Sequence, residues 1–289
     1  MTWPKEYSPA EMISVCIARE IRDGDVLGQG ISTPMVAIGY MLAKMTHAPR
    51  ATISYTVGNS FSVSEFGLSL LYSEKNTIGK AIYCWDFCEA VSCIVPMGKI
   101  TVEFFRPAQI DMFGNTNNVV IGDYNRPKVR LPGAAGIPDA TVVWPRVQLY
   151  VPRHDPRVFV PELDFRSGLG YMEGQNDAER AALGIIGGGP EVVITDLCVL
   201  GFDKETRRME VRTVHPGITL EEVMKSTGFE LLVSKEIKET PPPKKEELDL
   251  IRRVIDPLGL ARLETLPAGP ERAQVIREII SAEFRACHG

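Results

Sequence analysis

Hydrophobic positions along the chain switch between two periods, and the switches mark its elements. Ile13, Cys16, Ile17 and Ile21 recur at helical spacing behind Ser8-Pro9-Ala10-Glu11, a capping-box sequence with proline at the first helical position. This predicts an amphipathic helix, stopped by Asp23-Gly24-Asp25. Val26 and Leu27 then begin a short strand that enters Gly28-Gln29-Gly30-Ile31-Ser32-Thr33-Pro34. There Thr33 can cap, and Pro34 open, a second helix carrying Met35, Ile38, Met41, Leu42 and Met45. Strand, glycine-bearing turn and helix in that order aim backbone N–H groups at an anion, although close strand–helix packing accounts for the glycines equally well.

Alternation returns in Ala51–Val57, which predicts a strand ending at Gly58-Asn59-Ser60, and in Lys99–Phe105. Thr141–Trp144 and Arg157–Val160 are expected to be strands as well. Arg166–Gly189 is dense in glycine and reads as loops and turns, and the apolar run Glu191–Leu197 as a buried strand. Cys198–Phe202, a turn at Asp203–Thr206, and Met209, Val211 and Thr213 on one face make a hairpin. Thr219 and Glu222 form a second capping box before Leu220–Ser226. Alternating strands and helices argue for an α/β fold. The division expected is one α/β domain over residues 8–235, then a stiff linker at Thr240-Pro241-Pro242-Pro243 and a helical extension over residues 240–289. In that extension Leu248, Ile251, Val254 and Ile255 mark one helix, ended by Pro257, and Val275, Ile276, Ile279, Ile280 and Phe284 mark a last one. Packing on its own domain and docking on a partner subunit both suit the last helix.

Composition narrows the function classes. The 289 residues are 44% hydrophobic and 24% charged, ordinary globular values. A net charge of −5 gives no support to nucleic-acid binding. No apolar run approaches the ~20 residues of a membrane span, and MTWPKEYSP has no apolar signal core, so a cytoplasmic enzyme without a membrane role is expected. Cys84, Cys88 and Cys93 cluster without paired zinc-ligand spacing, and the four histidines show no ligand pairing. No metal site is expected, and Cys16 and Cys198 should be buried reduced thiols.

Candidate chemistry concentrates between Arg106 and Asp139. Gln109, Asp111, Gly114, Asn115, Thr116, Asn117 and Asn118 form one cluster of residues suited to tight turns and short polar reach. Gly133-Ala134-Ala135-Gly136 forms another, and Arg126, Lys128 and Arg130 lie between them. Glycine and asparagine tolerate positive φ and let a ligand approach backbone N–H groups, while the cations favour an anionic ligand.

This stretch resembles the β subunit of class I coenzyme A transferases, the glutaconate CoA-transferase type in particular. Ala108-Gln109-Ile110-Asp111, Gly114–Asn117 and Gly122–Gly133 carry the resemblance, together with Phe159–Phe165, Gly187–Pro190, Val192–Leu197 and His215–Phe229. It covers residues 10 to 235 or so. It implies an open, mostly parallel sheet with flanking helices, the fold shared by CoA transferases and sugar-phosphate isomerases. It also implies an acyl-CoA thioester substrate, no permanently bound cofactor, and a homologous α subunit in an αβ or α2β2 assembly. Ligand-binding positions implied are Gly28, Gly30, Gly58, Asn59, Gln109, Asp111, Asn115, Asn117, Gly133 and Gly136, expected to converge at the carboxyl ends of strands.

The family places a nucleophilic glutamate two residues before the glycine of the strand-end turn; its carboxylate attacks the thioester. Here Tyr55-Thr56-Val57-Gly58 puts Thr56 in that place, and a hydroxyl cannot form the acid anhydride of CoA transfer. No catalytic residue is certain in this chain. Glu65 and Glu74 are candidate substitutes, each more readily taken as a solvated side chain. The alternative function is a subunit of a relative that hydrolyses a carbon–carbon bond in a cyclic β-keto acyl-CoA, using a glutamate of the α subunit.

Overall fold

The computed structural model describes residues 4–30, 33–55, 60–63, 68–89 and 98–288. Contacts group the chain into two compact units, one holding Val91–Pro242, the other Pro4–Ala90 together with Pro243–Gly289.

The second of these units begins with α1 (Pro9–Arg19), whose capping box forms as expected, with Ser8 Oγ accepting from Glu11 N–H and Glu11 from Ser8 N–H. β1 (Val26–Gln29) leads into α2 (Pro34–Met45), and β2 (Thr52–Tyr55) pairs parallel to β1, with Gly28 opposite Ser54. β3 (Ser60–Val63) adds antiparallel to β2. α3 (Ser73–Ile78) precedes β4 (Tyr83–Cys84), which pairs antiparallel with β3, and a single turn, α4 (Phe87–Glu89), follows. Helices α1 and α2 pack closely because Gly39 has no side chain: a Cβ there would stand 2.6 Å from Ile17 Cγ2 and 2.9 Å from Ser14 O.

The Val91–Pro242 unit is built on β5 (Val102–Phe105). Two short antiparallel pairs follow, β6 (Gln109–Ile110) with β7 (Thr116–Asn117), and β8 (Val120–Ile121) with β9 (Val129–Arg130). After α5 (Ile137–Val143), β10 (Arg146–Val151) pairs parallel to β5. α6 (Asp177–Ala182) precedes β11 (Val193–Thr195), which is parallel to β10. β12 (Cys198–Phe202) and β13 (Met209–Val214) extend the sheet as the expected hairpin, α7 (Leu220–Lys225) follows with its capping box, and β14 (Leu232–Glu239) runs parallel to β13. Leu149, Val193, Leu200, Val211 and Phe229 belong to one apolar core. The α/β expectation holds: parallel strands backed by helices, bordered by antiparallel hairpins.

Two expected strands are not strands. Thr141–Trp144 is β-branched, yet it closes helix α5, where Pro138 sits in the first turn and Thr141 Oγ1 donates back to Ile137 O at 2.9 Å. The strand lies next along the chain, in Arg146–Val151, all six residues of which are buried. Arg146 and Gln148 disguised it by interrupting the apolar run. Gln148 is tolerated inside because its Oε1 accepts Glu191 N–H and Val192 N–H, both at 2.8 Å. Arg157–Val160 opens as a turn on Asp155, whose backbone oxygen accepts Val158 and Phe159 N–H, and is strand-like at Phe159 alone, in a single parallel bridge to Ile110. α6, β14 and the β3–β4 extension went unread from the pattern.

The C-terminal segment packs on the first elements of its own chain for most of its length. α8 (Lys245–Leu250) continues into a wider helical turn, Ile251–Ile255, and α9 (Arg262–Thr265) and α10 (Pro270–His288) follow. Arg252 pairs with Glu11 of α1 at 2.6 Å. Glu264 accepts the N–H of Met35, and Glu283 accepts the N–H groups of Leu70 and Leu71, all at 2.9 Å. Leu260, Leu263, Val275 and Ile279 form a small core of their own. These helices pack in cis. Ile280 and Phe284, one turn apart on α10, remain exposed.

Candidate functional site

The parallel strands β5 and β10, in register with Phe105 opposite Leu149, end beside each other. Each runs directly into an arginine and a proline: Arg106-Pro107 after β5 and Pro152-Arg153 after β10. A cavity of about 410 Å³ opens there, lined by Arg106, Ala108, Asn118, Gly133, Arg153 and neighbouring residues. This is where open α/β sheets hold ligands, outside the carboxyl ends of the strands. Both arginines are exposed and give the mouth a positive field.

Asn118 ties the rim together. Its Oδ1 accepts Ala108 N–H at 2.7 Å and its Nδ2 donates to Arg106 O at 3.2 Å, which fixes the chain leaving β5. Its backbone oxygen accepts Gly133 N–H at 3.0 Å, so the second glycine turn is held at the same rim. Gly133 has φ +111° and open space where a Cβ would be, and Ala135 also lies at positive φ, +47°. Gly136 is the N-terminal boundary residue of α5.

The residues expected to touch ligand in the first cluster turn out to bond one another. Gln109 Nε2 donates to Asp164 Oδ2 at 2.6 Å, and its Oε1 accepts from Asn117 Nδ2 at 2.7 Å. Asn117 Oδ1 accepts Val119 N–H at 2.9 Å. Asp111 Oδ1 accepts the N–H groups of Phe113 and Asn115, and its Oδ2 accepts from Asn115 Nδ2. Asn115 Oδ1 in turn takes Gly170 N–H and Met172 N–H. All four side chains are buried. Burial raises the Asp111 carboxyl above its ordinary range despite its donors. Their hydrogen-bonding capacity is spent inside the protein, on shaping the loop that presents Asn118 and the rim. A Cβ at Gly170 would collide with Phe113 O, so the two loop segments meet backbone to backbone.

Behind Arg153, His154 is buried between two hydroxyls, with Nδ1 3.1 Å from Thr195 Oγ1 and Nε2 2.9 Å from Thr227 Oγ1, and stacks on Phe159 at 3.9 Å. Burial pushes it down to about 3, so the ring is neutral. Asp196, the first residue after β11, accepts His154 N–H at 2.7 Å and thereby holds the Arg153 turn. Burial lifts its carboxyl to about 6, against the opposing pull of that N–H. Within β5, Glu103 is enclosed on the sheet and burial alone raises it to about 8.

In the other unit, Gly28 lies in β1 and Gly30 follows it. Gln29 between them donates to Thr33 Oγ1 at 2.6 Å. The anion at the start of α2 is the protein's own Glu264, on Met35 N–H. Glu74 is exposed on α3. Thr56, Gly58, Asn59 and Glu65 lie outside the described residues.

Arg106, Asn118 and Arg153 were missing from the positions expected at the site. The signal available was a strand that ends in arginine beside proline, twice over, on adjacent parallel strands.

The chain matches the family model "Coenzyme A transferase" over residues 10–226. It is 34% identical over 256 residues to the B-type subunit of 3-oxoadipate CoA-transferase from Pseudomonas knackmussii, covering 85% of this chain and 92% of that one. The B-type subunit of glutaconate CoA-transferase from Acidaminococcus fermentans is 31% identical over 267 residues, with 87% and 93% covered. A chain of that enzyme's crystal structure superimposes with a TM-score of 0.76 at 30% identity, covering 87% of this chain and 95% of that one. The cholesterol ring-cleaving hydrolase IpdB subunit of Rhodococcus jostii is 30% identical over 262 residues, with 88% and 95% covered. A chain of the IpdAB structure from that organism gives a TM-score of 0.73 at 27% identity, covering 91% of this chain and all of that one. With three quarters of its length matched by the family model and relatives at 34% and 31% identity along most of their length, the chain belongs to the coenzyme A transferase family.

Proposed function

We propose that this chain is the B-type subunit of an enzyme acting on acyl-CoA thioesters, working with a homologous A-type subunit in the cytoplasm. The observation that carries this reading is the cavity of about 410 Å³ at the carboxyl ends of β5 and β10, where Arg106, Arg153 and the Gly133 turn meet. An anionic thioester fits a site with a cationic mouth and an open glycine at its rim. CoA transfer between an acyl-CoA and a carboxylic acid is the first form of the reading. In that reaction an enzyme carboxylate attacks the thioester carbonyl and expels CoA thiolate, leaving an acyl–enzyme anhydride. The thiolate then attacks the enzyme's carbonyl, releasing the first carboxylate and leaving an enzyme–CoA thioester for the acceptor acid.

Thr56 favours a second form. A threonine at the strand end cannot supply the carboxylate, and the likeness to IpdB is to a ring-cleaving hydrolase. In this form water opens a cyclic β-keto acyl-CoA with a general base contributed by the partner subunit, and no CoA becomes attached to this chain. The experiment is co-expression with the A-type subunit, incubation with an acyl-CoA panel, and mass spectrometry of this chain before and after hydroxylamine or borohydride, which replace a bound CoA by a hydroxamate or an alcohol on the carboxylate that carried it. A CoA adduct on any of its carboxylates supports transfer and defeats hydrolysis. Ring-opened product formed without a carboxylate acceptor, and with no adduct, supports hydrolysis. An isolated chain as active as the pair would contradict the requirement for a partner.

A further inference from the structure

The β8–β9 hairpin leads straight to the cavity rim and carries chemistry that the cavity does not use. Phe165, Tyr124 and Arg130 form a layered stack: the two rings lie 5.5 Å apart at 25°, and the Arg130 guanidinium sits 5.0 Å from the Tyr124 ring centre. Arg130 Nη2 also donates to Tyr124 O at 3.0 Å, which fixes the guanidinium over the ring. The stack stands in solvent, with Tyr124 52% exposed and Arg126, Lys128 and Arg130 exposed too. The hairpin's carboxylate, Asp123, is folded into its own turn, accepting the N–H groups of Asn125 and Arg126 at 2.9 Å. After Arg130 the chain stays tied to the opposite strand, through Leu131 N–H to Val119 O and Gly133 N–H to Asn118 O, both 3.0 Å. A preordered aromatic–guanidinium stack flanked by cations is a surface for a phosphorylated nucleobase: the flat groups stack on the base and the cations bind phosphate.

We infer that this hairpin recognises the nucleotide end of coenzyme A, the adenosine bearing a 3′-phosphate and a 5′-diphosphate, while the thioester end occupies the cavity; this rests on the acyl-CoA reading above. Arg130 takes the adenine on the guanidinium face turned away from Tyr124, with the Tyr124 ring backing it, and Arg126 and Lys128 face the phosphates. Arg130 and Gly133 are three residues apart, a span of at most about 11 Å, so the two ends of one ligand meet continuous structure.

The test uses the co-expressed complex with its A-type subunit and three probes in calorimetry: CoA, adenosine 3′,5′-bisphosphate and pantetheine. In the wild type the bisphosphate competes with CoA. Lys128→Glu and Arg130→Ala each weaken CoA and the bisphosphate about tenfold or more, the size of losing a phosphate contact or a stacking partner, and leave pantetheine affinity alone. Lys128→Glu leaves the Arg130–Tyr124 contact in place, so it carries the test if Arg130→Ala does not fold. CoA affinities within twofold of wild type in Lys128→Glu and in whichever other variant folds overturn the hairpin assignment and leave the acyl-CoA reading standing. A wild-type complex that binds no CoA overturns both.

Discussion

The two halves of the segment from Ala108 to Gly136 are both polar and rich in turn residues, and they do opposite things. In the first half, Gln109, Asp111, Asn115 and Asn117 are buried and point their polar atoms at one another. In the second, Tyr124, Arg126, Lys128, Arg130 and Gly133 stand in solvent. Polar residues at turns suit a ligand or a loop equally well in sequence, and burial separates the two. A buried amide whose donors and acceptors are all matched has nothing left to offer a substrate. An exposed guanidinium held in place by its neighbours has.

The largest effect that would break this contrast is expected from Asn115→Ala. Asn115 is fully buried and satisfies Gly170 N–H, Met172 N–H, Met172 O and Asp111 Oδ2. Removing it leaves the Gly170 and Met172 N–H groups and Asp111 Oδ2 without their partner inside the protein, at a cost of about 3–5 kcal/mol. Urea unfolding of Asn115→Ala and Lys128→Glu side by side gives the measurement. The alanine variant should lose most of its stability, and the exposed Lys128 variant should stay within about 0.5 kcal/mol of wild type. Equal stabilities for the two would erase the distinction between scaffold and binding surface.

The architecture was legible where local chemistry and burial agreed. The capping boxes at Ser8 and Thr219 and the Cys198–Val214 hairpin follow from turn and cap residues alone. Arg146–Val151 was hidden because Arg146 and Gln148 are polar residues inside a two-sided sheet, and Gln148's burial is made tolerable by its bonds to Glu191 and Val192. The site was half legible for a related reason. Glycines and asparagines announce a turn, but whether a turn faces ligand depends on partners distant in sequence, as with Asp164 on Gln109 and Gly170 on Asn115. Arg106 and Arg153 are 47 positions apart and become neighbours of one cavity only when β5 pairs with β10.

Two buried ionisable groups extend the contrast to pH. Glu103 is raised to about 8 from 4.5, so the native state holds a proton that the unfolded chain has released between those values. Its contribution is fully present below about 4.5 and is lost as pH rises to about 8. His154 is lowered to about 3 from 6.5, so the unfolded chain takes a proton that the native state refuses. Its contribution is present above about 6.5 and is lost as pH falls to about 3. Between about 4.5 and 6.5 these two slopes oppose and cancel, leaving the fall that Asp196, raised to about 6 from 3.8, contributes below about 6. From about 6.5 to 8 the Glu103 slope stands alone, worth about 2 kcal/mol across the window. Urea midpoints measured from pH 4 to pH 9 should fall above about 6.5 in the wild type and stay level there in Glu103→Gln. Arginine keeps its charge throughout this range, so the Arg130 share of CoA binding should not follow that fall. An affinity that tracks the stability profile would tie the hairpin to the core after all.

The smallest effects test the rim, where backbone conformation and not hydrogen bonding is at issue. Gly133 has φ +111°, which a branched residue strongly resists, yet a Cβ placed there meets no atom within 4 Å. Gly133→Val should therefore cost stability only through backbone strain, about 1–2 kcal/mol. The added methyl groups project where a ligand would approach the Gly133 turn, so CoA affinity should fall further than stability does. Ala135 is the mirror experiment. Its φ of +47° is a left-handed conformation held by a residue with a Cβ, and Ala135→Gly relieves that strain while loosening the unfolded chain. The two terms nearly offset, leaving a gain of about a few tenths of a kcal/mol in urea unfolding with CoA affinity unchanged. A Gly133→Val protein that binds CoA as wild type does would place the ligand away from this turn. A large loss of affinity in Ala135→Gly would show that the strained conformation itself, rather than open space at Gly133, is what the rim contributes.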